Sequence, residues 1–230
     1  MTAGAGLERL QRRLGYRFRD PQLLARALTH RSAASANNER LEFLGDGLVN
    51  FVVAEALYCA RPEAEEGDLS RLRASLVCED SLARLAEGLE LGEVLLLGGG
   101  ALKSGGFRRA PILADTLEAV LGAVYLDGGF DAGRAACEHV MSSALAQLPD
   151  PASLKDAKTR LQEYLQGLGR PLPVYELLAS EGPEHRPSFT VSCRVADHGE
   201  ITEGQASNRR AAEQDAADKM LARLAGVSDA

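Results

Sequence analysis

Glu39, Glu42 and Asp46 stand close together in the stretch NNERLEFLGDG, Asn37 to Gly47. On a helix turning about 100° per residue, Glu39 and Glu42 sit about 60° apart and Asp46 falls between them. Three acids on one narrow face repel one another at i,i+3 and i,i+4 spacings, and only Arg40 offers relief nearby. A second acidic pair, Asp115 and Glu118, repeats the i,i+3 spacing in ILADTLEAVLGAVYL, otherwise strongly apolar from Ile112 to Leu126. Carboxylates in so apolar a helix cost free energy unless a cation neutralises them. Oxygen ligands at this density suit Mg²⁺ or Mn²⁺. Two blander readings also fit: solvated acidic faces, or acids stabilised by helix N-terminal dipoles. A di-iron carboxylate bundle uses Glu-x-x-His on two helices. It is disfavoured here, because none of His30, His139, His185 or His198 follows a glutamate by three residues.

The elements that must position these acids are helical through the first two-thirds of the chain. Asp20 and Pro21 make a good N-cap and first-turn pair for PQLLARALTH. In ERLEFLGDGLVNFVVAEALY, Leu41, Phe43, Leu44, Leu48, Phe51, Val52 and Leu57 recur near helical spacing. LSRLRASLV and SLARLAEGL continue the pattern, a mobile Gly-rich loop LGGGALKSGGF breaks it, and helices resume with ILADTLEAVLGAVYL and from about Asp131 to Leu148. LPDPASLKDAK reads as a linker. Beyond it, TRLQEYLQGLG is a short helix, and VYELLAS, SFTVSCRVA and EITEGQA alternate with period 2, as strands do. NRRAAEQDAADKMLARLA closes the chain as an Ala-rich helix.

The composition sets outer bounds. The chain of 230 residues is 45% hydrophobic and 26% charged, which fits a soluble globular protein. MTAGAGLERLQRR has no apolar core of a signal peptide. Nor is a membrane span expected, since the best candidate, GLVNFVVAEALY, is interrupted by Asn50 and Glu55. The cysteines Cys59, Cys78, Cys137 and Cys193 form no CxxC pair, and read as reduced core thiols of a cytoplasmic protein. The formal charge of −7 does not advertise a nucleic-acid binder, so any such reading rests on local patches. The Gly-rich loop lacks the GKS/T ending of a phosphate-cradling loop, and no small-molecule cofactor is expected.

These residues carry a resemblance. NNERLEFLGDG closely resembles the signature of bacterial ribonuclease III, the Mg²⁺-dependent endonuclease of double-stranded RNA. ALTHRS (Ala27 to Ser32), EGDLSRLRASLV (Glu66 to Val77), LKSGGFRR (Leu102 to Arg109) and ILADTLEAVLGAVYLD (Ile112 to Asp127) are similar to its other elements, in order. The resemblance implies an all-α endonuclease domain over residues 1–149, a linker over 150–156, and an α-β-β-β-α double-stranded RNA-binding domain over 157–226. It implies metal ligation by Glu42, Asp115 and Glu118, with Glu118 the most critical to chemistry. Asp46 matches an acid tied to catalysis, and Glu39 and Glu66 match acids lining the same cleft. Phe43 matches an aromatic that packs into the partner subunit of a homodimer. The implied reaction gives 5′-phosphate and 3′-hydroxyl ends with two-nucleotide 3′ overhangs, in rRNA precursors above all, with one or two ions per site. Gly47 stands where Ala or Ser is common, at about 1 kcal/mol of helix stability.

The tail's helix–three strands–helix order is that of a double-stranded RNA-binding domain. By resemblance Gln162 and Glu163 face one minor groove, His185 reaches a second, and Arg209 and Arg210 hold phosphates between them. Asp215 and the absence of a lysine at Ala211 make that end less basic than in many relatives, which implies more salt-sensitive binding. Lys103, Arg108 and Arg109 flank the Gly-rich loop as a flexible RNA-contacting arm. The rival reading is a non-catalytic duplex-RNA-binding protein that keeps the fold.

Overall fold

The computed structural model describes residues 3–183, 186–197 and 199–226. Two compact units, Met1–Leu154 and Lys155–Ala230, each have their own hydrophobic core. In the first, the helices are α1 (Ala3–Leu14), α2 (Pro21–Ala27), α3 (Glu39–Ala60), α4 (Glu66–Leu76), α5 (Glu79–Gly88), α6 (Gly99–Lys103), α7 (Ala110–Gly128) and α8 (Phe130–Ala146). Asp20 caps α2 as its sequence implies, its carboxylate accepting the Gln22 N–H at 2.9 Å.

The Gly-rich stretch, expected as a loop, is in part regular. Gly99–Lys103 closes into α6 and Gly106–Arg108 into a 3-10 turn. Gly106 is buried, and a Cβ there would meet the Ala101 carbonyl oxygen at 2.8 Å. This glycine serves close packing, which sequence periodicity does not distinguish from looseness.

Helix α7 is buried nearly all round, with Leu113, Leu117, Val120, Leu121 and Val124 at 0–1% exposure. A helix apolar on every side belongs in a core, and α3 packs across it. The crossing is close because two glycines meet there. A Cβ on Gly45 would lie 1.8 Å from the Glu118 carbonyl oxygen, and one on Gly122 would lie 2.4 Å from that of Leu41. Glu42 precedes Gly45 by a turn and Glu118 precedes Gly122 by a turn, so the contact that joins the backbones also joins the acids.

By length and a mean hydropathy of 1.4, α3 is long and apolar enough to cross a membrane, despite Asn50 and Glu55. In this fold its Leu41, Leu48, Val49, Val52, Val53 and Leu57 face the core instead. Gly47 has open space around it, with nothing within 4 Å of the point a Cβ would occupy. Gly47→Ala is therefore expected to stabilise the protein by about 0.5–1 kcal/mol. The check is a higher urea midpoint at unchanged m-value.

The cysteines do not all lie in the core: Cys137 and Cys193 are buried, but Cys59 and Cys78 are exposed, and all four are free thiols. Cys59 falls near the end of α3 and Cys78 at the N-cap of α5, where little packs over a side chain. In the expected linker, Pro151–Leu154 forms a 3-10 turn whose Leu154 packs on the first unit's core.

The second unit contains α9 (Ala157–Gly167), β1 (Val174–Glu181), β2 (Ser188–Arg194), β3 (Ile201–Ala206) and α10 (Arg209–Leu224). Asp156 caps α9, accepting the Thr159 N–H at 2.9 Å. The sheet is antiparallel in the order β1-β2-β3, with Cys193 opposite Tyr175 on one side and Thr202 on the other. One sheet face packs on the helices through Cys193, Val195, Leu161, Ala216 and Met220. Gly204 allows α10 to lie against β3, since a Cβ there would meet the Ala212 carbonyl oxygen at 2.1 Å.

Candidate metal centre and nucleic-acid interface

Glu42 comes from α3, and Asp115 and Glu118 from α7. Each offers a carboxylate oxygen, and these oxygens lie within 4.8 Å of one another. Oxygens sharing one ion lie up to about 4.2 Å apart at the Mg²⁺ distance of about 2.0–2.1 Å, so small side-chain shifts bring this set onto one ion. All three are half-buried.

The electrostatics point the same way. Burial pushes the Glu118 carboxyl up to about 8, aided by the nearby charges of Asp46, Asp115 and Glu42. Glu42 is raised by burial, then by Asp115, Glu39 and Asp46, with Arg31 opposing. Asp115 is raised by burial and by Glu79, with His30 and Arg31 opposing. Acids this crowded hold a proton, or a cation in its place. That free-energy excess is what the sequence spacing of Glu39, Glu42, Asp46, Asp115 and Glu118 foreshadows.

The other expected acids occupy different places. Asp46 is exposed on α3 and accepts the Asn50 amide at 2.8 Å, one turn on. Glu39 is exposed, accepts the Asn37 amide at 3.1 Å and lies 3.7 Å from Arg31. Glu66 opens α4, exposed, and accepts the Ser70 hydroxyl at 2.7 Å; it is not one of the three clustered carboxylates. Glu79, at the start of α5, is absent from the sequence-based set, yet its charge reaches Asp115. Its sequence neighbours carry no acidic spacing that would reveal this.

The Ribonuclease-III-like family matches residues 20–145, and the Double-stranded RNA binding motif family matches residues 157–224. Ribonuclease 3 of Alkalilimnicola ehrlichii is 57% identical over 215 residues, covering 94% of each chain. Ribonuclease 3 of Methylococcus capsulatus is 56% identical over 221 residues, covering 96% of each. The chain belongs to the ribonuclease 3 family. It is an endoribonuclease, with a nuclease domain and a double-stranded RNA-binding domain. A solved nuclease domain of ribonuclease III from Campylobacter jejuni has a TM-score of 0.59 at 43% identity, covering 60% of this chain and 96% of that one. That protein is described as flexible in a region involved in dimer formation.

In this family member the nuclease-side cations divide. Arg109 is the N-cap of α7 and lines a pocket with Glu42 and Asp115. Arg108 stacks 5.1 Å from the Phe107 ring centroid, and Lys103 ends α6, exposed. On the RNA-binding unit, Gln162 and Glu163 are exposed on α9, with Glu163 2.6 Å from Lys155. Arg209 pairs with Glu213 at 3.0 Å, and Arg210 beside it is exposed. His185 lies outside the described residues. Asp215 accepts the Gln205 N–H and the Lys219 ammonium, both at 2.9 Å. Its charge is thus offset within α10, which blunts its effect on the basic end.

Phe43 is 83% exposed on α3. It lines an apolar groove with Leu41, Leu44 and Leu126, and Phe51, Tyr58 and Phe130 are exposed on α3 and α8.

Proposed function

We propose that this endoribonuclease cuts both strands of duplex RNA at a divalent-cation centre held by Glu42, Asp115 and Glu118. The convergence of these three carboxylates within 4.8 Å carries the reading. Mg²⁺ is the ion of choice, with Mn²⁺ as a substitute, because the donors are hard oxygens. When bound, the ion neutralises phosphodiester charge, acidifies water and stabilises the leaving oxygen. The chain's own part is to hold the acids in a half-buried cleft, keep Glu118 deprotonated once its charge is matched, and add the Asp46 and Glu39 charges at the rim. Glu66, at the start of α4, adds a further acid outside the three-carboxylate cluster. The products are 5′-phosphate and 3′-hydroxyl ends with two-nucleotide 3′ overhangs, and rRNA precursors are among the substrates.

The test is incubation of the protein with duplex RNA in Mg²⁺ and in EDTA. Cleavage in both, or in neither, is incompatible with the proposal. The rival, a duplex-RNA binder without chemistry, leaves the converging acids with no purpose.

Duplex binding rests on the second unit, through Gln162, Glu163, His185, Arg209 and Arg210, with Lys103, Arg108 and Arg109 on the nuclease unit. The work is done in the cytoplasm, in keeping with four free thiols. The protein acts as a homodimer in which Phe43 enters the partner, as its exposure and apolar surroundings support. Phe43→Glu is expected to convert dimer to monomer at micromolar concentration in sedimentation velocity, since it puts a charge in an apolar contact. A wild-type monomer, or a dimeric Phe43→Glu protein, counts against this arrangement.

A further inference from the structure

Beside the carboxylate cluster is a pocket lined by His30, Arg31, Asn38, Glu39, Glu42, Arg109 and Asp115 among others. It shares Glu42 and Asp115 with the cluster. One wall is therefore acidic, while His30, Arg31, Asn38 and Arg109 supply hydrogen-bond donors.

Asn38 is the anomaly. It is the N-cap of α3, yet its side chain makes no capping bond. Asn37 does that work, its Oδ1 accepting the Glu39 N–H at 3.1 Å. The Asn38 side chain turns inward instead: the residue is 2% exposed, and its Nδ2 has no hydrogen-bond partner among the described residues. A buried donor without an acceptor is unfavourable. The atom is closed off from solvent, so an outside acceptor meets it when the side chain turns toward the pocket that the residue lines.

His30 is arranged to help. Its Nδ1 lies 2.8 Å from the Ser32 hydroxyl and 3.1 Å from the Ser32 N–H, which anchors that edge of the ring. With Nδ1 so engaged, Nε2 is the ring nitrogen left for a ligand in the pocket that His30 lines. The turn is held in place, for the His30 N–H donates to the Leu96 carbonyl at 3.0 Å and the Gly98 N–H to the Ser32 hydroxyl at 3.0 Å. Gly98 permits that approach, since a Cβ there would meet the Ser32 carbonyl oxygen at 2.1 Å. The Asn38 N–H ties to the Thr29 carbonyl at 2.9 Å, which fixes Asn38 beside His30. Arg109 is exposed and makes no ion pair among the described residues, while Arg31 is only 3.7 Å from Glu39.

We propose that this pocket holds a backbone phosphate of the RNA strand being cut, the one flanking the scissile phosphodiester, with His30 and Arg109 donating to its non-bridging oxygens and Asn38 joining them once its side chain turns toward the pocket. The reading rests on the adjacent carboxylates being the metal centre, since only neutralised acids tolerate a phosphate against them. A phosphate is the group that accepts from several donors and donates to none, and two guanidiniums favour its charge. The register of the strand at the metal is then set partly by a neighbouring phosphate, not by the reacting group alone.

The experiment is single-turnover cleavage by the full chain of short duplexes in which one phosphate flanking the scissile bond is a neutral methylphosphonate. His30→Ala and Arg109→Gln are each expected to raise the half-saturating enzyme concentration about tenfold on the unmodified duplex, the scale of one charge-assisted hydrogen bond. At one flanking position the methylphosphonate has a similar effect on the wild type. It adds less than about twofold to either variant, because the partner is already gone. Arg109 is exposed, so its variant tests the idea even if His30→Ala folds poorly. If the losses multiply at every flanking position, or if the variants lower only the saturated rate, the phosphate assignment is wrong. A Glu118→Gln protein that cuts at the wild-type rate would instead overturn the metal reading, and the two failures are distinguishable.

Discussion

Replacing Glu118 by glutamine is expected to reduce cleavage of duplex RNA by about 10³-fold or more, while duplex binding persists. The amide keeps the shape but loses the charge, and a carboxylate ligand at a reacting phosphate contributes several kcal/mol, at about 1.4 kcal/mol per tenfold. The same residue is expected to make ion binding depend on pH. Its folded-state value, about 8, lies above the ordinary 4.5 because of burial and its acidic neighbours. Between those values the folded protein keeps a proton that the unfolded chain has released, so this group's contribution to stability falls as pH rises from 4.5 to about 8. A divalent ion must expel that proton. Ion affinity should therefore rise up to tenfold per pH unit below about 8. The checks are thermal melts with and without Mg²⁺ at pH 6 and 8. Wild type should gain more from Mg²⁺ at the higher pH, and Glu118→Gln should lose most of that difference. A flat response in the wild type would separate Glu118 from the ion.

The Gly45→Ala protein is expected to lose about 3 kcal/mol or more of stability, at the upper end of overpacking costs. A methyl group at Gly45 would lie 1.8 Å from the Glu118 carbonyl oxygen and 2.5 Å from its carbonyl carbon. Backbone cannot yield as a side-chain tip does, so α3 and α7 must separate. Separation also moves Glu42 away from Asp115 and Glu118, which come from the other helix. Mg²⁺ affinity and cleavage should fall with stability, unlike at Gly47, two residues on, where space is open. A urea midpoint and a Mg²⁺ titration on the same sample test both parts. Full stability with full cleavage would mean that the close crossing does not set the ligand geometry.

Much of this was legible along the chain. The i,i+3 acids of NNERLEFLGDG and ILADTLEAVLGAVYL singled out Glu42, Asp115 and Glu118, which cluster in the structure, because local spacing fixes which side chains share a helix face. The change from helical to alternating pattern after LPDPASLKDAK announced the second unit, because periodicity records which face is buried. Tertiary structure alone decided what lies across from what. Glu79 reaches Asp115, Glu66 stands apart from the three clustered carboxylates, and Asn38 leaves its cap to face a pocket with His30. It also closed the Gly-rich stretch into α6 and put Cys59 and Cys78 on the surface. One residue type, glycine, was illegible for the same reason. Gly45 and Gly47 look alike in GDG, and only the neighbouring helix backbone distinguishes the one that must stay small from the one that need not. Sequence specifies the faces of each element, whereas the meeting of two faces depends on packing between residues far apart in the chain.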